Sequence, residues 1–217
     1  MDSYASDLRH LREQAQQALQ ALSGARIIPD LCLPGGLRRD LTQRDRETLL
    51  VALPKLNRSL FRFIGRLIDH RPLLARTVEV GVLTRAAAEQ FGVHGPLARA
   101  SGIQRDTRTD APYAAYARLN FKPITQDGGD VYARLMLLLL EAYESIKLIE
   151  AALAELPAGE WRGELPEALP KGQASATAEG PHGLIRYTLE GDGERLKHVR
   201  IDTPRQLDRL LTRTLLA

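Results

Sequence analysis

Apolar residues recur at spacings of three and four over three long stretches of the chain, and these spacings predict helices. Leu8, Leu11, Ala15, Ala18 and Leu22 predict an amphipathic helix over residues 3 to 23, ended by Gly24. A second helix runs from an N-cap at Thr42 to about Asp69, with Leu49, Leu50, Leu56, Leu60, Phe63, Ile64 and Leu67 on one stripe and Pro54 as a kink. The third and strongest signal covers residues 129 to 156, through Val131, Leu135, Leu138, Ala142, Ile146, Ile149, Leu153 and Leu156. Its natural partner is the 42 to 69 helix, antiparallel in a bundle. Between the first two helices, "IIPDLCLPGGLRRD" reads as an extended connection with a turn at "PGG". "RPLLARTVEVGVLTRAAAEQFG" reads as two short helices, the second capped by Thr84 and closed by Gly92.

After Pro157 the pattern changes. "PAGEWRGELPEALPKGQAS" is rich in proline and glycine and reads as a linker. "GLIRYTLEG" and "ERLKHVRID" are short β-type runs joined at "GDG", the signal of a β-hairpin. Thr203 and Pro204 open a last helix, "PRQLDRLLTRTLLA", still apolar at the final residue. The expected fold is mainly α within an α+β class: a long-helix bundle over residues 1 to 156, a linker over 157 to 173, and an incomplete α/β portion over 174 to 217. Inside the bundle, residues 94 to 127 have neither a helical nor a strand period, yet they carry Arg99, Arg105, Asp106, Arg108, Asp110, Tyr113 and Tyr116.

Composition narrows the function classes. With 217 residues, 44% of them hydrophobic, the chain is long enough for one substantial core or two small ones. Thirty basic residues nearly balance 27 acidic ones, and aromatics are 5%. That argues against nucleic acid as a partner, which asks for a basic face with stacking aromatics. The N-terminus has no apolar signal core, and "LMLLLL" at 135 to 140 falls well short of the roughly 20 residues that span a bilayer. The expected location is the cytoplasm, with any contact to the inner face of the membrane made through partners. One cysteine, Cys32, excludes an intrachain disulfide and a cysteine-based metal cluster within this sequence.

Catalytic signatures are missing: there is no H-E-x-x-H, P-loop, G-x-S-x-G or C-x-x-C. The five histidines, His10, His70, His94, His182 and His198, are far apart along the chain and read as surface or loop residues rather than metal ligands. Glu141, Glu144 and Glu150 share a helix with Lys147 and read as a solvated or helix-pairing face. The apolar "LCL" context of Cys32 predicts a buried, inert thiol.

A resemblance emerges from the irregular segments. "LPGGLRRDL" at 33 to 41, "RTVEVGVLTRAAAEQFGVHGP" at 76 to 96, "GPLARASGIQRDTR" at 95 to 108, "PYAAY" at 112 to 116 and "GGDVYARL" at 128 to 135 occur in order and at matching spacings. They resemble the central region of the large subunit of energy-converting membrane-bound [NiFe]-hydrogenases. The 49-kDa quinone-site subunit of respiratory complex I shares that region. The resemblance runs through most of the chain and implies a fragment or a shortened relative of such a subunit.

It carries several expectations. The charged segment becomes an ordered crossing between bundle helices, with Arg99, Asp106, Arg108, Asp130 and Arg134 in a structural ion-pair network. The complete protein would do redox chemistry, at a Ni–Fe centre or on a quinone, with an iron–sulfur small subunit and other subunits of a membrane-bound complex as partners. This chain lacks the two C-x-x-C motifs of the hydrogenases and the N-terminal histidine and tyrosine of the quinone pocket, so no cofactor and no catalytic residue are expected in it. "EGPHG" at 179 to 183 stands where the family has a Glu-x-Pro-Arg/Lys-Gly turn, with His182 in place of the basic residue. His182 is the one weak catalytic candidate, as a proton carrier. The alternative is a non-enzymatic assembly module that binds a neighbouring subunit. The fragment reading predicts an apolar patch for a partner or for self-association, formed by Leu207, Leu210, Leu211, Leu215 and Leu216 with Leu8 and Leu11, since a bundle without its neighbouring elements leaves apolar stripes uncovered.

Overall fold

A computed structural model of the chain describes residues 2–27, 29–165, 168, 170–204 and 213. The described residues comprise seven α-helices, a two-residue hairpin and a three-stranded antiparallel sheet. No helix among them is long and apolar enough to cross a membrane. They fall into two compact units: residues 1–68 with 143–166, and residues 69–142 with 167–217.

In the first unit, α1 (Asp2–Ser23) ends where Gly24 N–H donates back to the Gln20 carbonyl at 2.8 Å. The hairpin β1 (Cys32–Leu33) and β2 (Gly36–Leu37) turns at Pro34 and Gly35. Helix α2 (Gln43–Ile68) starts from a reciprocal cap: Thr42 Oγ1 accepts from Asp45 N–H, and the Asp45 carboxylate accepts from Thr42 N–H and its hydroxyl. α1 packs against α2 in the opposite direction, with Tyr4 edge-on to Phe63, Asp7 on Arg66 and the Gln14–Ala21 stretch beside Glu47–Lys55. The bundle expected from the sequence had assigned α2 to the third long helix. That helix, α7 (Val131–Ala154), meets α2 through Tyr143 and Phe61, 6.0 Å between ring centroids. Residues 161 to 163, read above as linker, are tied to the hairpin: Trp161 carbonyl accepts from Leu37 N–H and Gly163 N–H donates to Gly35.

Two stripes differ from the expected ones. On α2 the buried set is Leu49, Leu53, Leu56, Leu60, Phe63, Ile64 and Leu67, while Leu50 is exposed. On α7 it is Ala133, Met136, Leu137, Leu139, Ile146 and Leu153 that are buried, whereas Val131, Leu138 and Ile149 are exposed, as is Leu156 just past the end of the helix. α7 is apolar on every side between Leu135 and Leu140, so periodicity there marks a helix without selecting its buried face. On α1, Leu8 is exposed but Leu11 is buried, which removes Leu11 from the expected apolar patch. Leu207, Leu210, Leu211, Leu215 and Leu216, and the helix expected around them, lie outside the described residues.

The second unit holds four short helices, α3 (Arg71–Thr77), α4 (Arg85–Gln90), α5 (Gly95–Arg99) and α6 (Thr107–Asp110), with the first half of α7. Thr84 caps α4 by accepting from Ala87 N–H, as its position predicted. Leu83, Ala88, Val93, Ala98 and Ile103 form one buried cluster, and Ala100, Ala133 and Leu137 another. The sheet runs β3 (Gly172–Gly180), β4 (Gly183–Gly191), β5 (Leu196–Asp202), with β4 central. The hairpin expected at "GDG" is β4–β5, and β3 adds a strand that the sequence pattern left out. "GQASATAEG" has Thr177 alone of the branched and aromatic residues that mark strands, and its pairing with β4 across nine residue pairs makes it one.

Candidate functional site

The charged segment closes around Arg99 at the C-terminal end of α5. This guanidinium is buried, 1% exposed, and faces three carboxylates. Its Nε donates to Glu141 Oε1 of α7 at 2.6 Å, and its Nη1 donates to Glu179 Oε1 of β3 at 2.8 Å. The same Nη1 lies 3.1 Å from Asp106 Oδ2 and donates to the Arg105 carbonyl. Burial disfavours the charged form of Arg99, but the bonds to Glu141 and Glu179 outweigh it and raise its pKa above the ordinary arginine value.

Asp106, fully buried at its side chain, starts α6 by accepting from Arg108 N–H and is gripped in two-pronged fashion by Arg108, at 2.8 Å from Nε and 2.7 Å from Nη2. Burial opposes the Arg108 charge as well, and Asp106 reverses that effect. The Arg108 guanidinium also stacks over Phe121, 4.1 Å from the ring centre. Glu179 completes the ring with its second oxygen, accepting from Thr107 N–H and hydroxyl at 3.1 and 2.9 Å, while its own N–H donates to Tyr113 Oη. Burial raises the Tyr113 pKa, and Tyr113 stacks edge-on against Tyr116. Five ionisable side chains therefore tie α5, α6, α7 and β3 together. Three carboxylates oppose two guanidiniums.

Asp130 and Arg134 sit elsewhere. Asp130 caps α7, accepting from Ala133 N–H at 2.7 Å and from Glu79 N–H at 2.9 Å. Arg134 donates to the Gly129 and Gly81 carbonyls, and burial lowers its pKa against a smaller opposing pull from Asp130. Both hold backbone: the Gly129–Asp130 corner sits against the 79–83 turn, where Leu83 N–H donates to Gly129 O and Val131 N–H to Val80 O. Gly129 has φ +60°, and a Cβ there would lie 2.2 Å from the Leu83 carbonyl oxygen.

The "EGPHG" turn joins β3 to β4 and rests on the start of α5. A Cβ on Gly95, φ +69°, would lie 2.4 Å from the His182 carbonyl oxygen, so the chains cross at backbone distance. His182 is exposed beside this crossing. His94, the residue before Gly95, has its pKa lowered by burial first and by Arg105 second, with a smaller opposing effect of Glu179.

Reasoning from sequence missed Glu141 and Glu179. Glu179 stands in the turn noticed for His182, and Glu141 was read with its neighbours as part of a solvated or helix-pairing face; of those, Glu144 pairs with Lys147 at 2.9 Å in the expected way. Cys32 is exposed, contrary to the burial predicted from its apolar neighbours, because the two-residue strands of its hairpin point it outward. Among the described residues no three His, Cys, Asp or Glu side chains are placed to hold a metal ion. A thiolate-bridged Ni–Fe centre needs several sulfur ligands, and the whole sequence supplies one, so the residues present do not fit that group.

Comparison with known proteins gives four findings. The family model described as the 49 Kd subunit of respiratory-chain NADH dehydrogenase matches residues 6–169. The carbon monoxide-induced hydrogenase of Rhodospirillum rubrum is 35% identical over 201 residues, 90% of this chain and 56% of the relative. An NADH-quinone oxidoreductase subunit of Clostridium beijerinckii is 33% identical over 184 residues, 84% of this chain and 50% of the relative. A chain in the structure of the membrane-bound sulfane sulfur reductase, an archaeal respiratory membrane complex, superposes with a TM-score of 0.82 at 27% identity, covering 90% of this chain and 55% of that one. The chain thus spans about half the length of the relatives it matches.

Proposed function

Because the chain belongs to the family of the 49-kDa subunit of respiratory-chain NADH dehydrogenase, with hydrogenase subunits among its relatives, we propose that it serves as the structural centre of a redox subunit in a multisubunit membrane-bound complex. Its partners are an iron–sulfur small subunit and further subunits of that complex. It acts at the inner face of the membrane without crossing it, and electrons reach or leave the complete assembly as hydrogen and protons or as quinol. The observation that carries this reading is the Arg99 cluster. It lies in the segment whose motifs resemble the family, and it welds α7 and β3 to the two short helices, α5 and α6, that this segment contains. Such desolvated pairs contribute more to a fixed geometry than to net stability.

The chain's own residues hold and orient; none of them carries out the redox step. Arg99 and Arg108 fix the crossing, Asp130 and Arg134 fix the entry to α7, and the Gly95–His182 contact sets the position of the turn where the resemblance places a basic residue. His182, exposed at that turn, is a candidate to pass a proton near neutral pH.

The test is affinity isolation of the tagged chain from its own cells. Recovery with the membrane fraction, together with a protein showing reduced iron–sulfur signals in electron paramagnetic resonance, supports the proposal. Recovery as a free chain refutes it. The lone Cys32 favours a second reading, the non-enzymatic assembly module. For that reading the isolated complex would contain this chain yet keep its hydrogen- or quinone-linked activity when His182 is replaced.

A further inference from the structure

Helix α2 turns an apolar line outward as well as inward. Leu50, Pro54, Phe61 and Ile68 follow one another at spacings of four, seven and seven, and Leu50 is 44%, Phe61 64% and Ile68 45% exposed. Lys55, Arg58 and Arg62 form an exposed basic row beside that line, and among the described residues no carboxylate pairs with any of them. Arg66, further along α2, is different, because Asp7 engages it at 2.6 Å. Phe61 meets Tyr143 of α7, and a groove of about 710 Å³ opens at that contact. Arg58 and Arg62 stand on its α2 wall and Glu150 on its α7 wall, all within the first unit. Asn57, also in the lining, has a buried Oδ1 that meets no hydrogen-bond donor among the described residues. A buried acceptor left in this way asks for a partner.

The chemistry of the groove selects its occupant. Two guanidiniums and an ammonium in a row ask for carboxylates, the Phe61–Tyr143 pair asks for aliphatic side chains, and Asn57 Oδ1 asks for a donor. An anionic bilayer would answer the basic row, but it would bring its negative charge against Glu150 as well and press acyl chains onto Asn57. A second copy related by a two-fold axis would present the same basic row from both sides, with one groove carboxylate to offset three bases. An amphipathic helix of another protein meets all the demands together: an apolar stripe on the aromatic pair, acids along the edge toward α2, and polar side chains toward Asn57 and Glu150. The line from Leu50 to Ile68 is about 27 Å long at roughly 1.5 Å of rise per residue, room for about five turns of such a helix.

We propose that the groove between α2 and α7 at Phe61 and Tyr143 docks an amphipathic helix of a partner protein that carries acidic residues along the edge facing Lys55, Arg58 and Arg62. The two aromatic rings are the anchors. The basic row decides which edge of the incoming helix faces α2, and so fixes its orientation. This surface shares no residue with the Arg99 cluster, and the docking stands on the groove alone, whatever redox assembly the chain serves.

The experiment titrates the full chain against two fluorescein-labelled helical peptides of about five turns, each with one leucine stripe. One carries Glu along an edge of that stripe, the other Lys at the same places. Fluorescence anisotropy is read for the parent, for Phe61→Ala, for the double variant Arg58→Glu, Arg62→Glu, and for Arg12→Glu, an exposed arginine of α1, as the control. Circular dichroism confirms that each variant keeps its helices. The expected result is saturable binding of the Glu peptide, at least about tenfold tighter than the Lys peptide, weakened at least about tenfold in Phe61→Ala and unchanged in the control. The double variant should reverse the preference and take the Lys peptide. Equal binding of the two peptides, no binding of the Glu peptide, or binding that survives both groove variants overturns the proposal. So does a parent that binds phosphatidylglycerol vesicles in place of the Glu peptide, which would mean a membrane surface, or one that associates with itself on concentration until Phe61 is replaced, which would mean a second copy.

Discussion

Replacing Arg99 by methionine is the sharpest test of the charged crossing. The substitution keeps an unbranched side chain of similar reach and removes every donor. Glu141 Oε1 and Glu179 Oε1 lose partners at 2.6 and 2.8 Å, while Asp106 keeps its two bonds from Arg108. The cluster then sets three carboxylates against one guanidinium. Breaking a buried ion pair by removing one partner costs about 3 to 5 kcal/mol, because the remaining charge stays desolvated. For a urea dependence of ~2 kcal/mol per molar, that loss moves the unfolding midpoint down by roughly 1.5 to 2.5 M. Arg12→Ala, an exposed site on α1, serves as the control and costs under ~0.5 kcal/mol. The double variant Arg99→Met, Glu141→Gln should recover part of the loss, since it removes a stranded charge; the coupling expected is about 1 to 3 kcal/mol. Equal small midpoint shifts for Arg99→Met and Arg12→Ala, with no coupling to Glu141, would refute the claim that this segment is a desolvated network.

Four further outcomes are expected. Asp130→Ala strands the buried N–H of Ala133, at about 1 to 3 kcal/mol, and removes the part-buried bond from Glu79 N–H as well, so it should cost clearly more in urea melts than Thr84→Ala, a simple cap worth ~1 kcal/mol. Gly95→Ala forces a left-handed residue and a 2.4 Å contact with the His182 carbonyl, so a loss above ~2 kcal/mol or failure to accumulate soluble protein is expected, against near-neutrality for Gly65→Ala, which has open space around it. His94 has a folded-state pKa below its unfolded value of about 6.5, so the unfolded chain binds more protons there. Its contribution is fully present above that pH and declines as pH falls through the window just below it, and a His94→Asn variant should show a flatter dependence of the urea midpoint between pH 7 and pH 5. Elemental analysis of the purified chain should find neither nickel nor iron in stoichiometric amount, because one exposed thiol cannot supply a bridged sulfur site.

What the sequence determined by itself is local. The helix spans, the caps at Thr42 and Thr84, the stop at Gly24 and the turn at Asp192–Gly193 follow from groups that lie within four residues of one another, so their rules act before any tertiary contact forms. The family was legible for a related reason, since irregular motifs in a definite order are carried by the chain itself. Tertiary structure decided the rest. Glu141 and Glu179 are 42 and 80 residues from Arg99, and neither the helical pattern around the first nor the turn around the second reveals that they converge on one guanidinium. Asp130 caps α7 through a local bond, but its second oxygen is engaged only because the 79–83 turn presents the Glu79 N–H to it. The buried face of α7 was set by what packs on it, since a helix apolar on all sides contains no preference of its own between Leu137 and Leu138. β3 is a strand because β4 supplies its hydrogen bonds, which its own alanines and serine would not have predicted. In each case the deciding energy comes from a contact between segments distant in sequence, and such contacts leave no periodic trace in either segment alone.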